Sequence, residues 1–231
     1  MPTMYEIYDN HSYEYDELVA CEDYNKNLSR TLLSQFDFNN KTVIELGVGT
    51  GRLTNLYAGK SSQISVFDRS EHMLEKARKN LDAYSEKITY AICDNNAINS
   101  IPLKADFVME GWSYGHTVSD ISGMESQKID QLISSSLALL NPGGTAIFLE
   151  TLGTDTDKPV APSDSLRLFY KTMEEKSGFT RIEIPTDYQF GSVEEASRIM
   201  GFFFGPDTGN AIKKRDLTVI KEYTGLWYKN I

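Results

Sequence analysis

The sequence predicts an α/β doubly wound fold: one mostly parallel sheet of seven strands, helices on both faces, and an antiparallel last strand. Three observations carry this. The run Thr42–Leu46 is β-branched and apolar, the composition of a central strand buried on both faces, and it breaks off into Gly47, Gly49 and Gly51 at alternate positions. Comparable runs recur at 64–68, 88–93, 106–109 and 145–149, with stretches of helical apolar spacing between several of them. Two further strand-like runs, 180–184 and 217–229, close the chain and are expected to pair antiparallel.

Size and composition bound the reading. With 231 residues the chain fits one domain with a sizeable core. No run of about 18 apolar residues is present, so no membrane span is expected. The start, Met1 to Glu6, has no signal-peptide character. Cys21 and Cys93 are the two cysteines, with no Cys/His ligand cluster, which points to a reducing, cytoplasmic setting without structural zinc. A net charge of −10 disfavours a nucleic-acid partner, because a polyanion binder needs cations to release condensed counterions. A small molecule is the expected partner, and oligomeric state is not legible.

The glycine stretch is the centre of the reading. Without Cβ atoms the turn lets backbone approach a ligand and bend into a helix, which Leu53, Leu56 and Tyr57 continue at helical spacing. Exposed N–H groups and the positive end of the helix dipole then face the ligand. A phosphate-binding P-loop is excluded by spacing, since Gly59-Lys60-Ser61 has Thr54 where the first glycine belongs and no strand before it. The dinucleotide fingerprint fails by one residue, because Arg52 stands at its third glycine.

What fits is Glu45-x-Gly-x-Gly-x-Gly at the end of a first strand. Here the chain resembles the class I S-adenosylmethionine-dependent methyltransferases, of the small-molecule, type-11 (UbiE-like) kind. Five ordered features over roughly 40–150 carry the resemblance: the glycine turn, Asp68 after the second strand, Asp94-Asn95 after the third, Glu110-Gly111 after the fourth, and Leu139-Leu140-Asn141-Pro142-Gly143-Gly144 before the fifth. It implies a Rossmann-like domain with S-adenosylmethionine as cofactor. Gly47, Gly49 and Gly51 would give backbone approach, with Glu45 behind the turn near the methionine moiety. Asp68 would hold the ribose diol, since a carboxylate accepts two hydroxyls. Asp94 and Asn95 would meet the adenine, approached also by Arg69 and Met73, although Met73 reads equally as core.

In chain order, 1–40 is expected to form an N-terminal helical lid, 41–150 the donor-binding core, and 151–231 the acceptor side with a helical insertion near 192–205. The first 25 residues hold seven acids (Glu6, Asp9, Glu14, Asp16, Glu17, Glu22, Asp23), no Lys or Arg, and Tyr5, Tyr8, Tyr13, Tyr15 and Tyr24. They read either as a solvated helix or as a lid with Tyr8 or Tyr15 against the donor's methionine end. Leu28, Leu32, Leu33 and Phe36 form an apolar stripe that packs on the sheet. Ser70 is placed to cap a helix carrying Met73, Leu74, Ala77 and Leu81, with His72 on its surface. Cys93 reads as a buried strand residue.

The stretch 110–116, Glu-Gly-Trp-Ser-Tyr-Gly-His, follows the fourth strand, at the strand ends where doubly wound sheets bind ligands. Gly111 and Trp112 are expected at the donor, and Tyr114 and His116, with Tyr15, at the acceptor. His116 is a candidate general base, its ordinary pKa of about 6.5 letting it take a proton near neutrality; the alternative is a ring that satisfies a loop hydrogen bond. Glu110 is either catalytic, in contact with donor or substrate, or a structural acid capping the next turn. Family members that methylate base amino groups commonly carry Asp/Asn-Pro-Pro-Tyr/Phe here, so amino-base methylation is disfavoured.

Beyond the fifth strand, 150–159 is polar and turn-rich and is expected to wall the acceptor pocket. A helix with Leu166, Phe169, Tyr170 and Met173 follows, then a Ser192–Glu195 capping box opening an amphipathic helix. Phe202-Phe203-Phe204 reads as core or as the roof of an apolar pocket. The expected function is in-line methyl transfer to a small-molecule acceptor. An NAD(P)-dependent oxidoreductase and a non-catalytic donor-binding protein are the alternatives.

Overall fold

The computed structural model describes residues 4–121 and 123–231; the stretch before Met4, to which part of the signal-peptide reading applies, lies outside the described residues. The chain opens with helices α1 (Met4–Asn10), α2 (Ser12–Cys21) and α3 (Asn27–Gln35). Strands and helices then alternate: β1 (Thr42–Leu46), α4 (Arg52–Tyr57), β2 (Gln63–Asp68), α5 (Glu71–Asn80), β3 (Ile88–Ile92), β4 (Ala105–Gly111), α6 (Tyr114–Ser119), α7 (Glu125–Ala138), β5 (Leu140–Thr154). The rest comprises α8 (Asp164–Lys171), β6 (Thr180–Pro185), β7 (Tyr188–Gln189), α9 (Val193–Phe204), α10 (Pro206–Arg215), β8 (Val219–Ile220) and β9 (Glu222–Asn230).

Seven strands form one sheet in the order β3-β2-β1-β4-β5-β9-β6. The first five strands are parallel, and β9 is antiparallel to both of its neighbours. Strand order reverses between β1 and β4, so the loops leaving these two strands diverge and open a crevice. The period of two along β1 sends Ile44 and Leu46 into one core with α7 and α8, and Val43 into the other with α3, α4 and α5.

Three expectations change. The run 217–229 is two strands: Val219–Ile220 pairs with Tyr188–Gln189 in a separate ribbon, and β9 completes the main sheet. β5 does not end at Leu149, because pairing with β9 continues to Thr154↔Glu222 and carries the polar stretch along the ladder. The insertion expected near 192–205 runs on to Arg215 through a second helix, α10, started by Pro206 at its first turn. Ser192 caps α9 by accepting the Glu195 N–H, while Glu195 returns to Gly191 rather than to Ser192.

The N-terminal helices and the insertion share a core of their own. Ile7 and Leu18 pack with Ala196, Ile199, Met200, Phe203 and Ile212, and with Tyr188 and Ile220 of the ribbon. α3 stands apart from this roof, with Leu28 and Leu32 in the sheet-face core. Among the described residues no helix is long and apolar enough to cross a membrane.

Candidate active site

The glycines of the β1–α4 turn divide their work. Gly49 has φ +55, its N–H donates to Asp68 Oδ2 at 2.8 Å, and a Cβ there would meet nothing closer than the Tyr15 ring at 3.8 Å. Bare backbone therefore faces open space, a cradle for a ligand. Gly47 lines the same space, but a Cβ on it would overlap the Ser113 side chain, so it also lets the β4 loop come close. Gly51, at φ +87, does not share this space with Gly47 and Gly49; its missing Cβ makes room for Leu81 at 2.7 Å.

Glu45 does lie behind the turn. Its Oε2 accepts the Thr54 hydroxyl at 2.7 Å and the Tyr57 hydroxyl, and it lines neither cavity described below. Side chains alternate along a strand, and this position points under the turn into the helix layer. Burial raises its pKa to about 7 against the hydrogen bonds that lower it.

A cavity of about 410 Å³ opens over Gly47 and Gly49. Asp68, Arg69, Met73, Asp94, Asn95, Gly111 and Trp112 all line it, joined by Ser113 of the 110–116 stretch and by Thr117, which the sequence did not single out. Asp68 is buried; Oδ2 takes the Gly49 N–H and Oδ1 the Ser70 N–H at 2.9 Å. Each carboxylate oxygen has a second lone pair to offer a hydroxyl. Burial raises the Asp68 pKa. Asp94 accepts the Asn96 N–H at 2.8 Å, and Asn95 Nδ2 donates to Thr117 Oγ1 at 3.2 Å. Cys93 lies one position past β3 and lines the cavity, so it is not the buried strand residue expected.

A second cavity, about 330 Å³, adjoins the first. The two share Tyr8, Tyr15, Trp112 and His116. Tyr8 lies edge-on to Tyr15 and to His116, and its hydroxyl is 2.8 Å from His116 Nε2. Burial lowers the His116 pKa, so the ring is neutral at neutral pH. The remaining walls include Glu22, Arg52, Glu150, Tyr188, Phe203, Phe204 and Glu222. Arg52 pairs with Glu22 at 2.7 Å and lies 4.5 Å from the centre of the Trp112 ring.

Two loop residues expected at the site lie beneath it. Tyr114 is fully buried, with its hydroxyl 2.6 Å from Ser136 Oγ, and lines neither cavity. Glu110 also lines neither; Oε2 accepts the Ser113 and Tyr114 N–H groups at 3.3 Å, the turn-capping alternative. Burial first, and the charge of Glu150 second, push the Glu110 pKa upward. His72 is half-buried rather than exposed, with Nε2 at 2.8 Å from the Ser12 hydroxyl, a bond that fastens α2 to α5. Of the stretch 150–159, Glu150, Thr151 and Thr154 line the second cavity, at the carboxyl half of β5 where the strand-end rule points. Glu222, Arg52 and Tyr188 carry no comparable signal, because only the folding of the roof over the sheet brings them together.

Bare-backbone cradle, buried carboxylate and adjoining chamber make a small-ligand site at the carboxyl ends of the strands. Their residues fit S-adenosylmethionine, with Gly49 bare, Asp68 carrying spare lone pairs, and a volume within the roughly 300–1,000 Å³ of small-ligand sites. Residues 43–144 match the family model described as a methyltransferase domain. An uncharacterized methyltransferase of Bacillus cereus is 26% identical over 159 residues, covering 65% of this chain and 68% of that one. Among solved structures, the YcgJ protein of Bacillus subtilis is 10% identical with TM-score 0.60, over 90% of this chain and 98% of that one. Phosphoethanolamine N-methyltransferase 2 of Haemonchus contortus, solved with S-adenosylhomocysteine, is 16% identical with TM-score 0.60, over 100% of this chain and 61% of that one. Residues 43–144 are thus a methyltransferase domain of the class I S-adenosylmethionine-dependent kind.

Proposed function

We propose that this methyltransferase acts on a small-molecule acceptor held in the second cavity, with α1 and α2 as a lid over both ligands. The observation that carries the reading is the single wall, Tyr8, Tyr15, Trp112 and His116, common to the two cavities. A donor seated on Gly49 and Asp68 would present its reactive end there. When bound, S-adenosylmethionine supplies a methyl on a sulfonium, open to in-line attack with a neutral thioether leaving.

The chain's own residues then have three tasks. Gly47, Gly49, Asp68, Asp94 and Asn95 hold the donor, with Arg69, Met73, Gly111 and Trp112 completing its walls. Tyr15 and the roof exclude water and fix the approach, and alignment of two reactants can supply roughly 7–11 kcal/mol. His116, neutral and bonded to Tyr8, is positioned to take a proton where the acceptor must lose one. Enclosure and a net charge of −10 favour a small acceptor over RNA, and two free thiols, Cys21 and Cys93, fit a cytoplasmic setting.

Incubation with methyl-labelled donor and, separately, a metabolite fraction and total RNA tests the reading. Label is expected in the metabolite fraction. Label confined to RNA would overturn it.

A further inference from the structure

We infer that the acceptor carries a basic nitrogen and that Glu222 receives it. Glu222 is only 3% exposed and lines the second cavity. Its backbone is fixed on both sides, the N–H donating to Asp187 at 3.0 Å and the carbonyl accepting the Thr186 N–H at 2.8 Å. Of its carboxylate oxygens, Oε1 accepts the Thr151 hydroxyl at 2.8 Å, whereas Oε2 is buried with no partner. A buried carboxylate oxygen without a donor is an unmet demand, and native proteins leave few of these except where a ligand or an ion meets it.

The charge balance around it specifies the donor. Three carboxylates line the chamber: Glu22, Glu150 and Glu222. Arg52 answers Glu22 by an ion pair, and Glu150 has the Gly115 N–H at 2.6 Å. His116 is neutral, and Arg52, held by Glu22, reaches Glu222 only through space, so among the described residues no lining cation forms an ion pair with Glu150 or Glu222. Ring faces of Trp112, Tyr188 and Phe203 complete the walls, and aromatic faces attract cations while packing against apolar carbon. Burial raises the pKa of both Glu150 and Glu222. An arriving ammonium reverses that penalty by stabilising the ionised form. Glu222 lines only the second cavity, so the nitrogen it holds is an anchor, and the atom facing the shared wall is the one offered for methylation. Arg52 Nη2, also buried without a partner, is a donor left for an oxygen on the same molecule.

This inference rests on the second cavity being the acceptor site. The test titrates the full chain, loaded with S-adenosylhomocysteine, with primary amines graded from ethanolamine to tryptamine, each against its hydroxyl analogue. At least one amine is expected to bind about tenfold or more tightly than its analogue. That preference should fall to near unity in Glu222→Gln, with affinity for S-adenosylhomocysteine unchanged. Equal binding of every pair, no amine binding at all, or a preference that survives Glu222→Gln would overturn it. If the variant fails to fold, the comparison within the unmodified protein decides alone. Failure of the underlying reading looks different: an amine whose affinity is untouched when Leu166→Trp fills the second cavity binds elsewhere.

Discussion

The Tyr8 hydroxyl and His116 Nε2, 108 positions apart in sequence, lie 2.8 Å from each other. The bond fastens α1 to the wall between the two cavities. Other ties hold the same roof: Asp16 to Lys76 at 3.0 Å, Glu22 to Arg52 at 2.7 Å, and Glu17 to Arg198 at 2.6 Å. The acids crowding the first 25 residues thus serve in part as attachments. The second cavity's carboxylates that have no ion pair come from the sheet, as Glu150 and Glu222.

His116 gives a first expectation. Burial lowers its pKa, so the neutral ring persists across neutral pH and gains a proton only in acid. An NMR titration of its ring protons should show a midpoint below about 6.5, the value of a free histidine. A midpoint above that would mean a carboxylate, not burial, dominates its surroundings, and the proposed proton-accepting role would lose its basis.

Asp68 links two functions in one side chain. Its oxygens fix Gly49 and Ser70 by their backbone N–H groups and face the donor cavity. Asp68→Ala should weaken S-adenosylhomocysteine binding by about tenfold to a hundredfold, the value of one or two charged hydrogen bonds. It should also cost stability, on the order of 1–3 kcal/mol, through the stranded N–H groups. Isothermal titration with unchanged affinity would remove Asp68 from the donor site.

Much of this was legible in the chain. A strand ending in alternate glycines fixes a turn, and an acid closing the next strand lands beside it, because parallel strands deliver their carboxyl ends to one edge. That logic locates Gly49, Asp68, Asp94 and Asn95. It does not tell these from Glu45 and Tyr114, which line neither cavity, since a residue one position along a strand or loop faces the opposite side, and neighbouring positions give no sign of which side is the crevice. The second cavity was mostly hidden: Glu22 at the end of α2, Arg52, Tyr188 and Glu222 come from separate parts of the chain that meet only once α1 and α2 share a core with α9 and α10.

Gly47 and Gly49 should respond differently to alanine. Both have positive φ, so both substitutions carry backbone strain of about 1 kcal/mol or more. At Gly47 the new methyl also overlaps Ser113, so Gly47→Ala should be the less stable protein, by a further 1–3 kcal/mol or so. Gly49→Ala projects into open space near Tyr15 and should keep more stability while losing donor affinity. Urea denaturation beside S-adenosylhomocysteine titration separates the two, and equal stability loss would refute the division of labour.

Glu45 should make stability fall as pH rises, opposite to the usual carboxylate. Its pKa is about 7 in the folded protein against 4.5 for an unperturbed glutamate. Between those values the folded state binds the proton that the unfolded state has lost. The slope of unfolding free energy with pH follows protons bound unfolded minus folded, so this group's slope is negative. Its contribution is full below about pH 4.5 and is lost as pH rises through about 7. Glu45→Gln mimics the protonated form and still accepts from Thr54 and Tyr57. The variant should match the parent near pH 5 and exceed it near pH 8, by on the order of 1–3 kcal/mol. Glu45→Leu leaves both hydroxyls unpaired and should be less stable at either pH. Urea melts of the three proteins at the two pH values decide it: a constant gap between parent and Glu45→Gln would mean that Glu45 is ionised throughout, and that water or a cation reaches it beneath the glycine turn.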